Sequence, residues 1–415
     1  MSRPVIDFDH RSVAYRDNWQ QIARDLHSSG NPIAWSEHHG GFWVTASIDA
    51  VRQVCSDWET FTAENDLDGT SNGGRGHSIP RSPYQLYLGE SDPPLHTARR
   101  RLEAPFFAPK AVREWGPVAH RYLHQAIDDV IEQGHADLID DILVPTTART
   151  TLYVVGYDPD DWLDAAMSAH TAVYLLPSDP KYPYAEQKRL RENFRAMLRD
   201  RRARPTGDLT SALATGLVEE RQLNDDEGES MINALVFGGF DTTVALLANV
   251  FLWLNRNPGE KDRLATDDAY RRGATEEFLR FFPPATMQAR TALKDTEVLG
   301  QPIKRGDTVG LWLAGANRDP KTFEDPDSLR LDRPNARDNV TFSAGNHRCL
   351  GSPLAKVEIN EVLKTVLTRM PDIQVDETRV QRYPSIGTVN GFSAMPISFK
   401  PGPRGTEASG AELAG

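Results

Sequence analysis

The sequence predicts a mainly α fold with a minor β part, and three observations carry that expectation. The stretch Met231–Leu254, MINALVFGGFDTTVALLANVFLWL, is apolar throughout, with Asp241 its only charge. From Leu95 to about Arg204 apolar residues recur at helical spacing. Segments with strand character are short and scattered, at 41–47, 296–315 and 384–400.

Taken in order, residues 14–60 mix helical and strand signals. GFWVTAS (41–47) reads as a strand after a His-His-Gly turn. Asp49–Trp58 reads as a short helix with Val51, Val54, Cys55 and Trp58 on one side, which makes Cys55 a core residue. Residues 62–92 are rich in turn formers, and an irregular connection of that length points to a functional segment. The helical region that follows is expected to break at Pro105, Pro117, Pro145 and the PSDPKYP turn at 177–183. His120 and His124 share a helix face without any attached carboxylate motif, so a solvated pair is expected. Asn224 and Glu227 have capping-box spacing and open the long apolar helix. Further helices are expected over about 259–281 and 351–370, and residues 404–415 read as a flexible tail.

Composition excludes some functions. The chain has 47 Lys and Arg against 59 Asp and Glu, a net charge of −12, so no nucleic-acid partner is expected. Only Cys55 and Cys349 are present, which leaves no disulfide framework and points to a reducing cytoplasm. The N-terminal MSRPVIDFDHRS has no apolar anchor. Met231–Leu254 is long enough to span a bilayer, but it equally suits the centre of a large helical domain; the soluble, acidic flanks favour the second, and no membrane partner is expected.

The chemistry concentrates in FSAGNHRCLGSPLA, residues 342–355. A thiolate ligand to a haem iron needs a cysteine that loses its proton near neutral pH, which a helix N-terminus promotes. Cys349 stands at the turn into such a helix. Gly345 permits a tight turn beside a flat macrocycle, and Gly351 lets the helix backbone approach it. Phe342 would shield the sulfur, and His347 would reach a haem propionate. In the central helix, Gly238 and Gly239 are costly in a helix interior, and Asp241 is a costly buried charge. Thr242 can bond the carbonyl of residue 238 and open the helix locally.

The 342–355 segment resembles the haem-binding loop of cytochromes P-450, with Ser343 where glycine is usual. The resemblance extends over nearly the whole chain. It implies a P-450 fold, a triangular helical domain with a small β-rich part, over residues 1–403. It implies Cys349 as ligand to haem b, with Gly239, Phe342, His347 and Gly351 beside the cofactor. GGFDTT (238–243) resembles the oxygen-activation motif, in which Asp241 and Thr242 deliver protons. Glu277-x-x-Arg280 with Arg333 resembles the family's buried ion network. DPPLHTARRRL (92–102) resembles the propionate-binding helix, giving His96 and Arg100, and Arg290 matches a further propionate partner.

The implied activity is insertion of one oxygen atom from O2 into a small hydrophobic substrate, with electrons from NAD(P)H through ferredoxin and ferredoxin reductase. Arg99, Arg101, Arg348 and Lys356 would form a basic docking patch for that ferredoxin. By family position the pocket would draw on the 62–92 loop, the connection near 170–185, and Ile79, Leu86, Val236, Phe240, Ala285, Met287, Gln288, Val389 and Asn390. A peroxygenase using H2O2 and a non-catalytic haem sensor remain as alternatives. The Asp241-Thr242 pair argues against the first, and the oxygen-activation motif with the long 62–92 loop against the second.

Overall fold

The computed structural model describes residues 3–405 apart from 67, 71, 83, 176–178 and 388. The tail from 406 and part of the expected 177–183 turn therefore lie outside the described residues. Thirteen α-helices are described: α1 Val13–Ser28, α2 Ile48–Ser56, α3 Leu95–Glu103, α4 Pro109–Val130, α5 Val144–Val155, α6 Trp162–Tyr174, α7 Tyr184–Ala203, α8 Leu209–Thr215, α9 Asp225–Arg256, α10 Lys261–Thr266, α11 Asp268–Phe281, α12 Leu313–Ala316 and α13 Ser352–Arg369.

The axis of the molecule is α9. Its start is fixed by a complete capping box: the Asn224 side chain accepts from the Glu227 N–H, and the Glu227 carboxylate accepts from the Asn224 N–H, both at 2.9 Å. Three acidic residues in its first turn and Arg256 in its last suit the helix dipole. The helix is long and apolar enough to cross a membrane, but 72 % of its most apolar window is buried within the protein. It is a buried core helix, packed by α5, α6, α7 and α13.

Prolines act less uniformly than expected. Pro145 lies in the first turn of α5, where the π-helical turn Leu138–Leu143 runs into it, and Pro105 opens a 3-10 turn, Ala104–Phe107. Pro117 does not break its helix: α4 continues through it, with Val118, Ala119, Tyr122 and Leu123 buried beyond it. Packing of that apolar face outweighs one lost backbone bond.

The largest element of the minor β part is a five-stranded sheet; one three-stranded and three two-stranded sheets are also present among the described residues. Phe42–Thr45 pairs antiparallel with Ile33–Ser36 and parallel with Thr308–Trp312. Thr308–Trp312 pairs antiparallel with Met287–Ala292, whose other edge takes Phe61–Thr62. The expected strand region 296–315 ends in the short helix α12. The register matters for the site, because Met287–Ala292 carries Gln288 and Arg290.

Candidate active site

The loop before α13 turns twice with left-handed backbone. Ser343 has φ +60° and Gly345 φ +63°. A Cβ on Gly345 would collide with the backbone carbonyl of Cys55, so only glycine fits. Ser343 stands in a conformation that favours glycine, and its hydroxyl donates to Gln288 Oε1 at 2.9 Å. Cys55 Sγ lies 3.6 Å from the same hydroxyl, so this cysteine, buried as expected, packs beneath the loop. The Cys349 N–H closes the turn on the Phe342 carbonyl at 2.9 Å.

Cys349 is solvent-accessible, yet burial is the largest influence on its thiol and pushes its pKa up. Both hold for a residue closely surrounded by protein atoms yet left uncovered on one side. The N–H groups of Gly351 and Ser352 and the charges of Arg100 and Arg348 act in the other direction. The helix N-terminus therefore lowers the thiol pKa but does not overcome burial by itself. A bound metal cation would complete the deprotonation.

Beside the sulfur lies a cluster of groups that want an anion. The rings of His96 and His347 lie against each other, tilted by 49° with centroids 4.2 Å apart. Both ring nitrogens of His96 and Nε2 of His347 are buried with no partner among the described residues. Burial, reinforced by Arg100 and Arg290, pushes His96 down to about 4, and burial with Arg290, His96, His77 and Arg100 pushes His347 to about 2. Arg290 is 2 % exposed and donates to the Ala289 carbonyl at 2.6 Å; Arg100 donates to the Arg348 carbonyl at 2.7 Å. Two guanidinium groups and two histidines with unmet hydrogen-bonding capacity fit a dianionic group. The donor set thus fits a haem: one accessible thiol, and partners for two carboxylates.

On α9, Thr242 Oγ1 donates to the Gly238 carbonyl at 2.8 Å. Ala234, Leu235, Gly238 and Thr242 form one accessible stripe along α9, with Gly238 the most exposed of them, and a Cβ on Gly238 would meet open space. Gly239, expected beside the cofactor, faces α5 instead: a Cβ there would lie 2.6 Å from Thr151 Oγ1. A side chain at this position is excluded by Thr151.

Val236 and Phe240 also depart from expectation. They lie about 160° around the helix from Gly238, with 0 % and 2 % exposure, in the main apolar core. Ile79 is likewise core, packed with Phe8, Tyr15 and Trp312. Val389 is closed against Ala245 and Tyr383, and Asn390 is held through its backbone by Pro284 and Asn249. Leu86, Ala285 and Met287 stay partly accessible. The open stripe adds Ala234 and Leu235, which sequence reasoning missed because a helix apolar all round does not reveal its open face.

Asp241 is 1 % exposed and turns away from the stripe. His170 of α6 meets its Oδ1 through Nδ1 at 2.5 Å, and the Tyr383 hydroxyl donates to Oδ1 and Oδ2 at 3.1 and 3.0 Å. Burial alone would lower the His170 pKa, but Asp241, with Asp140 and Asp137, raises it above its ordinary value. Neither His170 nor Tyr383 sits in any sequence pattern that signals this contact.

The three-residue ion network is present and buried. Arg280 binds both Glu277 oxygens at 2.7 Å, and Arg333 Nε reaches them at 3.0 and 3.1 Å. The remaining guanidinium hydrogens donate to carbonyls of residues 317, 324, 325, 326 and 328. The expected basic patch is smaller than the sequence suggests. Arg99 is 4 % exposed and paired with Glu227 at 2.8 Å, and Lys356 is bound to Glu276 at 2.6 Å. Arg101 and Arg348 remain exposed.

A family model described as Cytochrome P450 matches residues 185–380. The steroid C26-monooxygenase of Mycolicibacterium smegmatis is 31% identical over 413 residues, covering 97% of this chain and 98% of the relative. The erythromycin C-12 hydroxylase of Saccharopolyspora erythraea is 29% identical, covering 89% and 92%. Among solved structures, Mycobacterium marinum cytochrome P450 CYP268A2 in complex with pseudoionone superposes with a TM-score of 0.86 at 26% identity, covering 96% of this chain and 100% of that one. With a thiol and carboxylate partners suited to haem brought together in one fold, these likenesses give one conclusion: the chain belongs to the cytochrome P450 family, the haem-thiolate monooxygenases that carry haem b and use O2 with electrons from NAD(P)H.

Proposed function

We propose that this chain hydroxylates or epoxidises a small hydrophobic substrate, with Cys349 as the ligand to the haem iron and electrons arriving through ferredoxin and ferredoxin reductase. The observation that carries the reading is the accessible Cys349 together with His96 and His347, whose buried ring nitrogens include three with no partner among the described residues, and the guanidinium groups of Arg100 and Arg290. When bound, the haem supplies oxygen activation and the strong push of an axial thiolate.

The remaining work falls to side chains. Gly351 and Ser352 N–H groups hold the sulfur, and Phe342 anchors its loop by accepting from the Cys349 N–H. Thr242 keeps its hydroxyl on the open stripe, with its own proton given to the Gly238 carbonyl and its lone pairs free to accept. Asp241 is a proton reservoir for it, held by His170 and Tyr383, and its movement toward Thr242 requires that these contacts exchange. Glu277, Arg280 and Arg333 have a structural role, fixing the segment that leads to the cysteine loop.

Leu86, Ala285, Met287, Leu235 and Ala234 line the substrate side. Their apolar character suits a terpenoid, polyketide, steroid or aromatic molecule, in keeping with relatives named for a steroid and for erythromycin. Exposed Arg101 and Arg348 offer a small basic face to an acidic ferredoxin. Residues 1–403 act as one haem domain in the cytoplasm.

The test compares product formed with NADPH, ferredoxin and reductase against product formed with H2O2 alone. Turnover that depends on the electron-transfer partners supports the monooxygenase reading. Equal or better turnover with peroxide alone contradicts it.

A further inference from the structure

Away from the haem pocket, the N-terminal segment meets the turn at residues 38–40. Asp9, His10 and His39 each offer one ligand atom there, all within 4.8 Å of one another, and no other such group occurs among the described residues. His39 Nε2 lies 2.9 Å from Asp9 Oδ1, and the two histidine rings stand edge to face at 5.2 Å.

His10 is the informative member. It is 1 % exposed, and its Nε2 meets the Ile79 carbonyl at 2.7 Å. A carbonyl only accepts, so the proton sits on Nε2 and the lone pair on Nδ1. That Nδ1 is buried with no partner among the described residues. A histidine whose outer N–H is fixed by a carbonyl while its other nitrogen presents a bare lone pair is set up as metal ligands are.

We propose that Asp9, His10 and His39 form a Zn2+ site that staples the N-terminal segment to the 38–40 turn. Two imidazoles and one carboxylate, with water in the fourth position, match zinc. Mg2+ and Ca2+ prefer all-oxygen sets and are selected against. Zinc bonds of about 2.0–2.1 Å place ligand atoms about 3.4 Å from one another, so the His39–Asp9 pair, at 2.9 Å, must open by about 0.5 Å and the wider separations, at most 4.8 Å, must close by up to about 1.4 Å. The partly exposed His39 side chain can supply that movement. The cation Arg11, which also reaches the Ile79 carbonyl at 3.4 Å, opposes the metal, whereas the Asp9 carboxylate favours it. His38 is engaged with Asp7 at 2.7 Å and stands outside the set. Because Ile79 belongs to the 62–92 connection, the metal would also stiffen one anchor of that segment.

The test is calorimetric titration of chelator-treated holoenzyme with ZnCl2, with MgCl2 in parallel and thermal melts on the same samples. The expected result is one tight equivalent of Zn2+, none of Mg2+, and a melting temperature raised by zinc. His39→Asn, which tolerates the left-handed backbone at φ +52°, and Asp9→Asn should each weaken binding at least tenfold, with the ferrous–CO spectrum unchanged as a check on folding. His38→Ala should stay within twofold of the parent. Absence of a stoichiometric zinc equivalent, parental affinity in His39→Asn, or an equal loss in His38→Ala would each overturn the assignment.

Discussion

The Tyr383 hydroxyl donates to both carboxylate oxygens of Asp241, at 3.1 and 3.0 Å, while His170 Nδ1 meets Oδ1 of the same carboxylate at 2.5 Å and lies 3.1 Å from the hydroxyl. A buried acid is thereby held by a phenol and an imidazole. Burial lowers the His170 pKa and the carboxylates of Asp241, Asp140 and Asp137 raise it, the net being above the ordinary value of 6.5. A raised folded pKa contributes stability that is complete below pH 6.5 and is lost as pH rises through the folded value. The parent enzyme should therefore lose melting temperature across that window, and His170→Gln should lack that component. Tyr383→Phe should keep it and lose about 1 kcal/mol uniformly in pH. Thermal melts from pH 6 to 9 read both. An unchanged pH slope in His170→Gln would remove the ion pair from the description.

The two adjacent glycines of α9 should behave oppositely. Gly239→Ala sets a methyl against Thr151 and should destabilise by about 1–3 kcal/mol. Adding Thr151→Ala should recover most of that loss. Gly238→Ala meets open space, should keep or slightly raise stability, by up to about 1 kcal/mol, and should instead alter the substrate-induced spin shift. Denaturation midpoints and optical titrations separate these outcomes. Equal stability loss at both positions would contradict the assigned faces.

This pair also shows what sequence can reveal. The capping box at Asn224 and Glu227, the Cys349 turn and the Glu277-x-x-Arg280 pair were readable because each is a local pattern with a local cause. The face of α9 was not readable, since Val236, Phe240, Leu235 and Ala234 are all apolar and only packing separates them. Arg99 and Arg101 are equally alike in sequence, yet one is buried on Glu227 and the other exposed. His170 and Tyr383 reach Asp241 across 71 and 142 positions of chain, a contact no spacing rule encodes.

Glu103, at the end of α3, is fully buried with both oxygens unpartnered among the described residues. Burial, opposed in part by Arg100, pushes it up to about 8. Between pH 4.5 and 8 the unfolded chain loses this proton and the folded chain keeps it, so stability falls with rising pH by on the order of a few kcal/mol. Glu103→Gln should match the parent near pH 4 and exceed it increasingly toward pH 8. Urea midpoints at both pH values check this, and an equal gain at both would contradict a protonated, buried acid.

The reading of the whole site turns on one sulfur, and the ferrous–CO spectrum of purified holoprotein reports on it directly. Cys349→Ser should abolish the red-shifted band that gives the family its name, while Cys55→Ala, which alters only the packing beneath the loop, should retain it. Retention of that band in Cys349→Ser would contradict thiolate ligation by Cys349, and with it the proposed chemistry.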